Sequence, residues 1–177
     1  MISSNDASDA ADDLYGLGFD AAKSMRYHLC RRRFWDSWNR TNKMMGVLSG
    51  SAVIVGISAQ VALLTTISGI IVALFSAFDL VFDFSEKARQ ADGLYRQWSL
   101  LAQQIAGIEQ PTAKQITQLR QTRLKIEMEE GPTLDLLERR CSYDEAMARG
   151  VEINQAWVLT PRERRLAQFV LWRPAKR

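Results

Sequence analysis

The amino-acid sequence predicts an all-α membrane protein: a two-helix transmembrane hairpin with long helical extensions and a small cytosolic helical module. Three observations carry that expectation. The first is a run of 35 residues, Met44 to Phe78, without Asp, Glu, Lys, Arg or His. A spanning helix needs about 20 predominantly apolar residues, so the run is too long for one span and just long enough for two short ones. The second is the flank before it, Arg31, Arg32, Arg33, Phe34, Trp35, Trp38, Arg40 and Lys43. Cations there suit anionic headgroups, and indole rings favour the interfacial layer. The third is an apolar seam after the run, Ala91, Leu94, Trp98, Leu101, Ile105 and Ile108. Its steps of three and four trace one face of a helix.

Chain-wide averages conceal this pattern. A length of 177 residues and a formal charge of +3 would suit one soluble basic domain. That charge is too small to imply a nucleic-acid partner. The uncharged run begins far from the N-terminus and closes on no small-residue cleavage site, so it does not read as a signal peptide. Cys30 and Cys141 are far apart without a CxxC spacing, which reads as two reduced thiols.

Taken in order, residues 1–13 are Ser-, Ala- and Asp-rich, with Asp6, Asp9, Asp12 and Asp13, and read as a flexible acidic tail. Residues 14–109 follow as a basic lead-in helix, the hairpin at about 44–78 and a continuing cytosolic helix. Leu14, Ala21, Met25 and Leu29 mark the lead-in helix. The first span is expected over Met44–Gly56 and the second over Val61–Phe78, with a turn at Gly56–Gln60 at the far interface. Arg31 to Lys43 carries five basic residues against one acidic, and the turn carries none. The positive-inside rule therefore places both termini in the cytoplasm. With no Gly or Pro between Ile70 and Asp92, the second span is expected to run on through Phe84–Glu86 into the seam as one rod of about 45 residues.

Residues 110–177 are expected to form C-terminal cytosolic helices with a basic amphipathic tail. One helix follows Pro111-Thr112 and carries Ile116, Leu119, Leu124 and Ile126. Gly131-Pro132 ends it, and Thr133 is the expected N-cap of the next, with Leu134, Leu137 and Cys141 on one face. The tail pairs Arg162, Arg164 and Arg165 with Leu166, Phe169, Val170 and Trp172. It suits either the inner leaflet or the surface of the cytosolic bundle.

Four sets of candidate residues emerge. Gly46, Ser49, Gly50, Val53 and Gly56 give the first span a small-residue face for close helix packing. Thr65, Ser68, Val72, Ser76, Asp79 and Asp83 make one weakly polar face of the second span, ending in two carboxylates. That face reads as a pore wall with an acidic mouth, or more plainly as hydroxyls bonded to their own backbone and acids marking the end of the span. Arg31 to Lys43 is the membrane-interface set. The seam is the assembly set, because an apolar stripe in water must be covered by the C-terminal helices or by another protomer. Assembly is accordingly expected to depend on the seam more than on the spans.

No catalytic, metal or cofactor site is expected. His28 is the sole histidine, without a nucleophile and carboxylate spaced for a triad, and it makes a poor ligand pair with Cys30. No phosphate-cradling glycine motif is present.

The segment Phe75-Ser-Ala-Phe-Asp-Leu-Val-Phe-Asp-Phe-Ser-Glu-Lys-Ala-Arg-Gln-Ala-Asp-Gly-Leu-Tyr-Arg96, placed after a basic helix and a tight hairpin, resembles the SLATT family, the two-transmembrane effectors associated with SMODS nucleotidyltransferases and SLOG domains. Ser85-Glu86-Lys87-Ala88 and Leu94-Tyr95 are its most specific parts. Ile126-Glu-Met-Glu-Glu-Gly-Pro-Thr-Leu134 and Cys141-Ser-Tyr-Asp-Glu145 are similar to segments of some members. The likeness covers roughly Ala22 to Gly150 and lies in architecture and short motifs. It implies a homo-oligomeric effector that forms a pore in, or disrupts, the bacterial inner membrane in antiphage or conflict defence. No SLOG-type sensor is fused here, so the trigger is expected from a separate sensor or nucleotide-signalling protein, or from the cytosolic module itself. The alternative is a non-conducting membrane anchor or assembly protein whose cytosolic helices bind a partner.

Overall fold

The computed structural model describes residues 4–58 and 62–169, and among them the chain has helices and no strands. α1 spans Ser4–Ser58, α2 Ala62–Phe82, α3 Phe84–Ala106, α4 Ala113–Glu129 and α5 Asp135–Arg149; a 3₁₀ turn at Gln155–Trp157 precedes the short α6, Pro161–Leu166. Two compact units divide the chain, one of Met1–Arg31 with Ala91–Arg177 and the other of Arg32–Gln90.

In the first unit, the seam is consumed within the chain. Trp98, Leu101 and Ile105 of α3 are buried against Leu17 and Ala21 of α1 and Ile116, Leu119 and Ile126 of α4, with Leu94 and Ile108 partly buried beside them. Trp98 and Leu101 are each only 1% exposed. Burying such a side chain is worth about 1.5–3 kcal/mol, which makes this cluster a principal tie between α1, α3 and α4. Of the two coverings open to the seam, the protein's own helices supply one. Leu124 of the same helix is exposed.

A second cluster gathers Tyr27 of α1, Leu134, Leu136, Leu137 and Cys141 around α5, and Ala167 just after α6. Ion pairs lie around both clusters. Arg26 and Arg149 each reach the buried Glu145 at 2.6 Å, and Lys23 reaches Glu138 at 3.1 Å.

Three local expectations are corrected. From Ser4 onward the acidic segment is not a tail but the opening turns of α1. Asp13 and Asp20 pair with Arg120 and Arg123 of α4, so these acids have cationic partners. Thr133 does not cap α5; Leu134 stands at the N-cap with no side-chain cap of its own, and its N–H donates to the Tyr27 hydroxyl at 3.0 Å. The unbroken rod is interrupted at Asp83, between α2 and α3, where φ is +40°. Thr112 does cap α4, in a reciprocal capping box with Gln115. The tail packs Ala167 into the second cluster, and Arg31 donates to the Gln168 carbonyl at 3.3 Å, while Leu166 and Phe169 are exposed. Val170 and Trp172 lie outside the described residues, as does the connection at 59–61.

Candidate membrane-interface site

The second unit distributes its side chains the wrong way round for water. Its buried side chains, among the described residues, are Asn42, Ser49, Ser68, Phe84 and Ala88. Its exposed ones include Val47, Leu48, Ile54 and Val55 of α1 and Leu63, Ile70, Leu74, Leu80 and Val81 of α2. Leu80 is 86% exposed and Val81 75%. Isolated apolar residues on a surface are ordinary, but contiguous apolar faces mark a membrane or protein contact. The stretch Thr65–Ala106 contains a segment long and apolar enough to cross a membrane, and that segment is only 11% buried. Hydroxyls in the apolar faces are satisfied locally: Ser51 Oγ donates to the Val47 carbonyl and Thr66 Oγ1 to the Ala62 carbonyl, both at 2.9 Å.

At one end of this unit a chain of aromatic rings links two helices. Phe34 stands edge-on to Trp35 at 4.9 Å between centroids, and Trp35 and Trp38 of α1 stack on Phe84 of α3 at 6.0 and 6.1 Å. Phe84 stacks in turn on Phe82, and Phe82 on Phe78. The Lys87 ammonium lies 4.9 Å from the Trp35 ring centre and 5.4 Å from that of Phe82. Ring offsets of this kind and a cation over a ring face each add on the order of 1 kcal/mol. Of the interface set, Arg32 pairs with Asp36 at 3.7 Å, and Arg33, Arg40 and Lys43 are exposed. Arg31 belongs to the first unit and uses its guanidinium on Gln168.

Asp83 forms the break between α2 and α3. Its N–H donates to the Asp79 carbonyl at 3.0 Å, and its side chain accepts the Glu86 N–H at 3.1 Å. The carboxylate thus caps α3 at the point where the backbone turns left-handed. A non-glycine residue is rarely found there, and Asp is among the few that tolerate it.

The candidate pore face divides. Ser68 is buried, Thr65 and Val72 are half-buried, and Ser76, Asp79 and Asp83 are exposed. The small-residue face divides differently. Ser49 is buried and Val53 half-buried, but no atom beyond the local helix backbone lies within 4 Å of the point where a Cβ would stand on Gly46 or Gly50. The side of Gly56 is outside the described residues. Sequence reasoning assigned no role to Phe78, Phe82, Phe84 and Lys87, although Phe78 and Phe82 stand at the i, i+4 spacing that brings rings together on a helix.

Among the described residues no three of His, Cys, Asp and Glu gather so as to hold a metal ion. The polar centre of the first unit is Glu130, whose carboxylate accepts the Trp98 indole N–H and lies 2.8 Å from His28 Nε2. No family model matches the chain, and neither a curated protein nor a solved structure does.

Proposed function

We propose that the chain is an oligomeric two-transmembrane effector that opens or disrupts the bacterial inner membrane, with both termini in the cytoplasm, in antiphage or conflict defence. The observation that carries the membrane part is the inverted burial of the second unit: Asn42, Ser49 and Ser68 are inside, while Leu, Ile and Val face outward. In water each outward Leu or Ile would forgo about 1.5–3 kcal/mol of burial, whereas in lipid it forgoes nothing. The aromatic chain, Lys87 and the exposed Arg33, Arg40 and Lys43 suit the headgroup layer. The open faces of Gly46 and Gly50 suit close approach of a second copy's helix. Exposed Ser76, Asp79 and Asp83 suit a cation-attracting mouth. A separate sensor or nucleotide-signalling protein is the proposed trigger, on the resemblance to SLATT proteins.

One observation favours the non-conducting anchor instead. Ser68 is buried within the single chain, so the middle of the candidate pore face is not open to water.

Reconstitution into liposomes separates the two. A conducting effector collapses a potassium gradient, and Asp79→Asn with Asp83→Asn lowers its preference for cations; an anchor leaves the gradient intact at every protein density. Topology is tested separately in intact cells. An external thiol reagent should label Gln60→Cys, and not a cysteine added at either terminus, in a Cys30→Ser, Cys141→Ala background. The reverse pattern would overturn the orientation.

A further inference from the structure

The fold brings together the chain's two cysteines, which the sequence leaves far apart. Cys141 of α5 is 1% exposed in the cluster of Tyr27, Leu136, Leu137 and Ala167, and Cys30 of α1 packs against the same cluster, half-buried. The neighbouring Cys30 thiol pushes the Cys141 thiol pKa up. No disulfide joins them. We infer that Cys30 and Cys141 form a modification site, a dithiol that a hydroperoxide closes to an intramolecular disulfide fastening α5 to α1.

The burial assigns the order of events. Cys30 has the solvent access and meets the oxidant first; Cys141 sits behind it and resolves. In the first step the Cys30 sulfur attacks one oxygen of the hydroperoxide. The O–O bond breaks, the thiol's proton leaves with the departing oxygen as water or alcohol, and Cys30 becomes a sulfenic acid. In the second step the Cys141 sulfur attacks the Cys30 sulfur. The S–S bond forms, the S–O bond breaks, and the hydroxide takes the Cys141 proton as water. Two thiols lose two electrons and the hydroperoxide gains them.

The setting favours this outcome over others open to a thiol. Cys141 is closed to bulk solvent, so a second chain cannot reach it, which disfavours a linked dimer. The neighbouring Cys30 and burial among apolar walls push the Cys141 thiol pKa up, so by itself it is a poor target for peroxide. A sulfenic acid on Cys30 would have its resolving partner in the cluster it packs against. The inference does not rest on the membrane reading, because both residues belong to the first unit.

The test uses the full chain in detergent, treated with hydrogen peroxide, denatured, alkylated and weighed intact. Wild type should lose both alkylatable thiols and two hydrogens in mass, remain a monomer on a non-reducing gel and recover on dithiothreitol. Cys141→Ala should accumulate a dimedone-trappable sulfenic acid at Cys30. Cys30→Ser should keep Cys141 reduced at the same dose, with its circular dichroism showing that it is folded. Oxygen gain without hydrogen loss in wild type, a disulfide-linked dimer, or a folded Cys30→Ser protein that oxidises as fast as wild type would each overturn the inference. So would survival of both wild-type thiols at a dose that oxidises Cys30 in Cys141→Ala.

Discussion

His28 Nε2 lies 2.8 Å from Glu130 Oε1, the same oxygen that accepts the Trp98 indole N–H. Glu130 ends α4, His28 is on α1 and Trp98 on α3, so one carboxylate joins three segments. Burial by itself would raise the Glu130 pKa, but the bonds from His28 and Trp98, and the positive charge of Lys23, outweigh it and hold the carboxyl below its usual range. A group depressed in the folded state stabilises above its unfolded pKa of about 4.3, and that contribution is lost as pH falls through the lower folded value. Glu130→Gln should therefore cost about 1–3 kcal/mol at neutral pH. Its deficit against wild type should shrink on acidification below about pH 4. Urea unfolding of the full chain in detergent, followed by circular dichroism, reads this. A deficit constant from neutral to acid pH would remove Glu130 as a source of acid sensitivity.

Trp98 and Leu101 hold the first unit together from inside. Trp98→Ala should cost about 3–5 kcal/mol and Leu101→Ala about 2–5 kcal/mol. The double change to Ser should abolish cooperative unfolding of the module rather than release a smaller folded species. A double variant that stays helical and soluble but loses higher-order assembly would show that the seam also serves a neighbour.

In the proposed oligomer the open faces of Gly46 and Gly50 are the expected contact, because the seam is already buried within the chain. Gly50→Leu fills the space beside α1 without touching the first unit's core. A tenfold weakening of association, about 1.4 kcal/mol, is expected by light scattering in mild detergent, with the thermal unfolding of the module unchanged. Undiminished assembly of Gly50→Leu would place the contact elsewhere.

Asp83 combines a left-handed backbone with a cap. Asp83→Ala removes the acceptor for the Glu86 N–H and keeps a Cβ at φ +40°. Losing the cap costs about 0.5–2 kcal/mol, while the left-handed strain that wild type already bears stays in place. Asp83→Gly replaces the cap at a loss of only a few tenths of a kcal/mol and removes the conformational strain, so it should lie close to wild type. Amide exchange over residues 84–90 should be faster in the Ala variant than in the Gly variant. Equal exchange in both would mean that the break at Asp83 stores no strain.

What was legible in the sequence is what runs along one dimension. The uncharged stretch from Met44 and the steps from Ala91 to Ile108 are periodicities, and they located α2 and the buried face of α3 directly. What was hidden depends on distant residues meeting. Asp13 looked solvated because nothing near it in sequence is cationic; Arg120 is supplied by α4. Thr133 has the better capping side chain, yet the bond that orders the start of α5 comes from Tyr27, far upstream on α1. Asp83 carries no mark that separates a helical Asp from a left-handed one. The candidate interface site was half legible: Trp35 and Trp38 stood in a basic flank, but their partner Phe84 lies far along the chain on α3.

The make-up of the first unit also orders events on the ribosome. Leu17, Ala21 and Tyr27 are synthesised early, but the side chains that bury them, from Trp98 through Ile126 to Leu137, emerge only after residues 32–90 have been made. The N-terminal half of α1 has its apolar stripe finished long before any of its partners exist. Burial of that stripe therefore cannot begin the folding of the module and must complete it, since long-range contacts wait on chain closure. A nascent chain stalled before Ala113 should hold that stripe open to a chaperone, and one stalled after Arg149 should not.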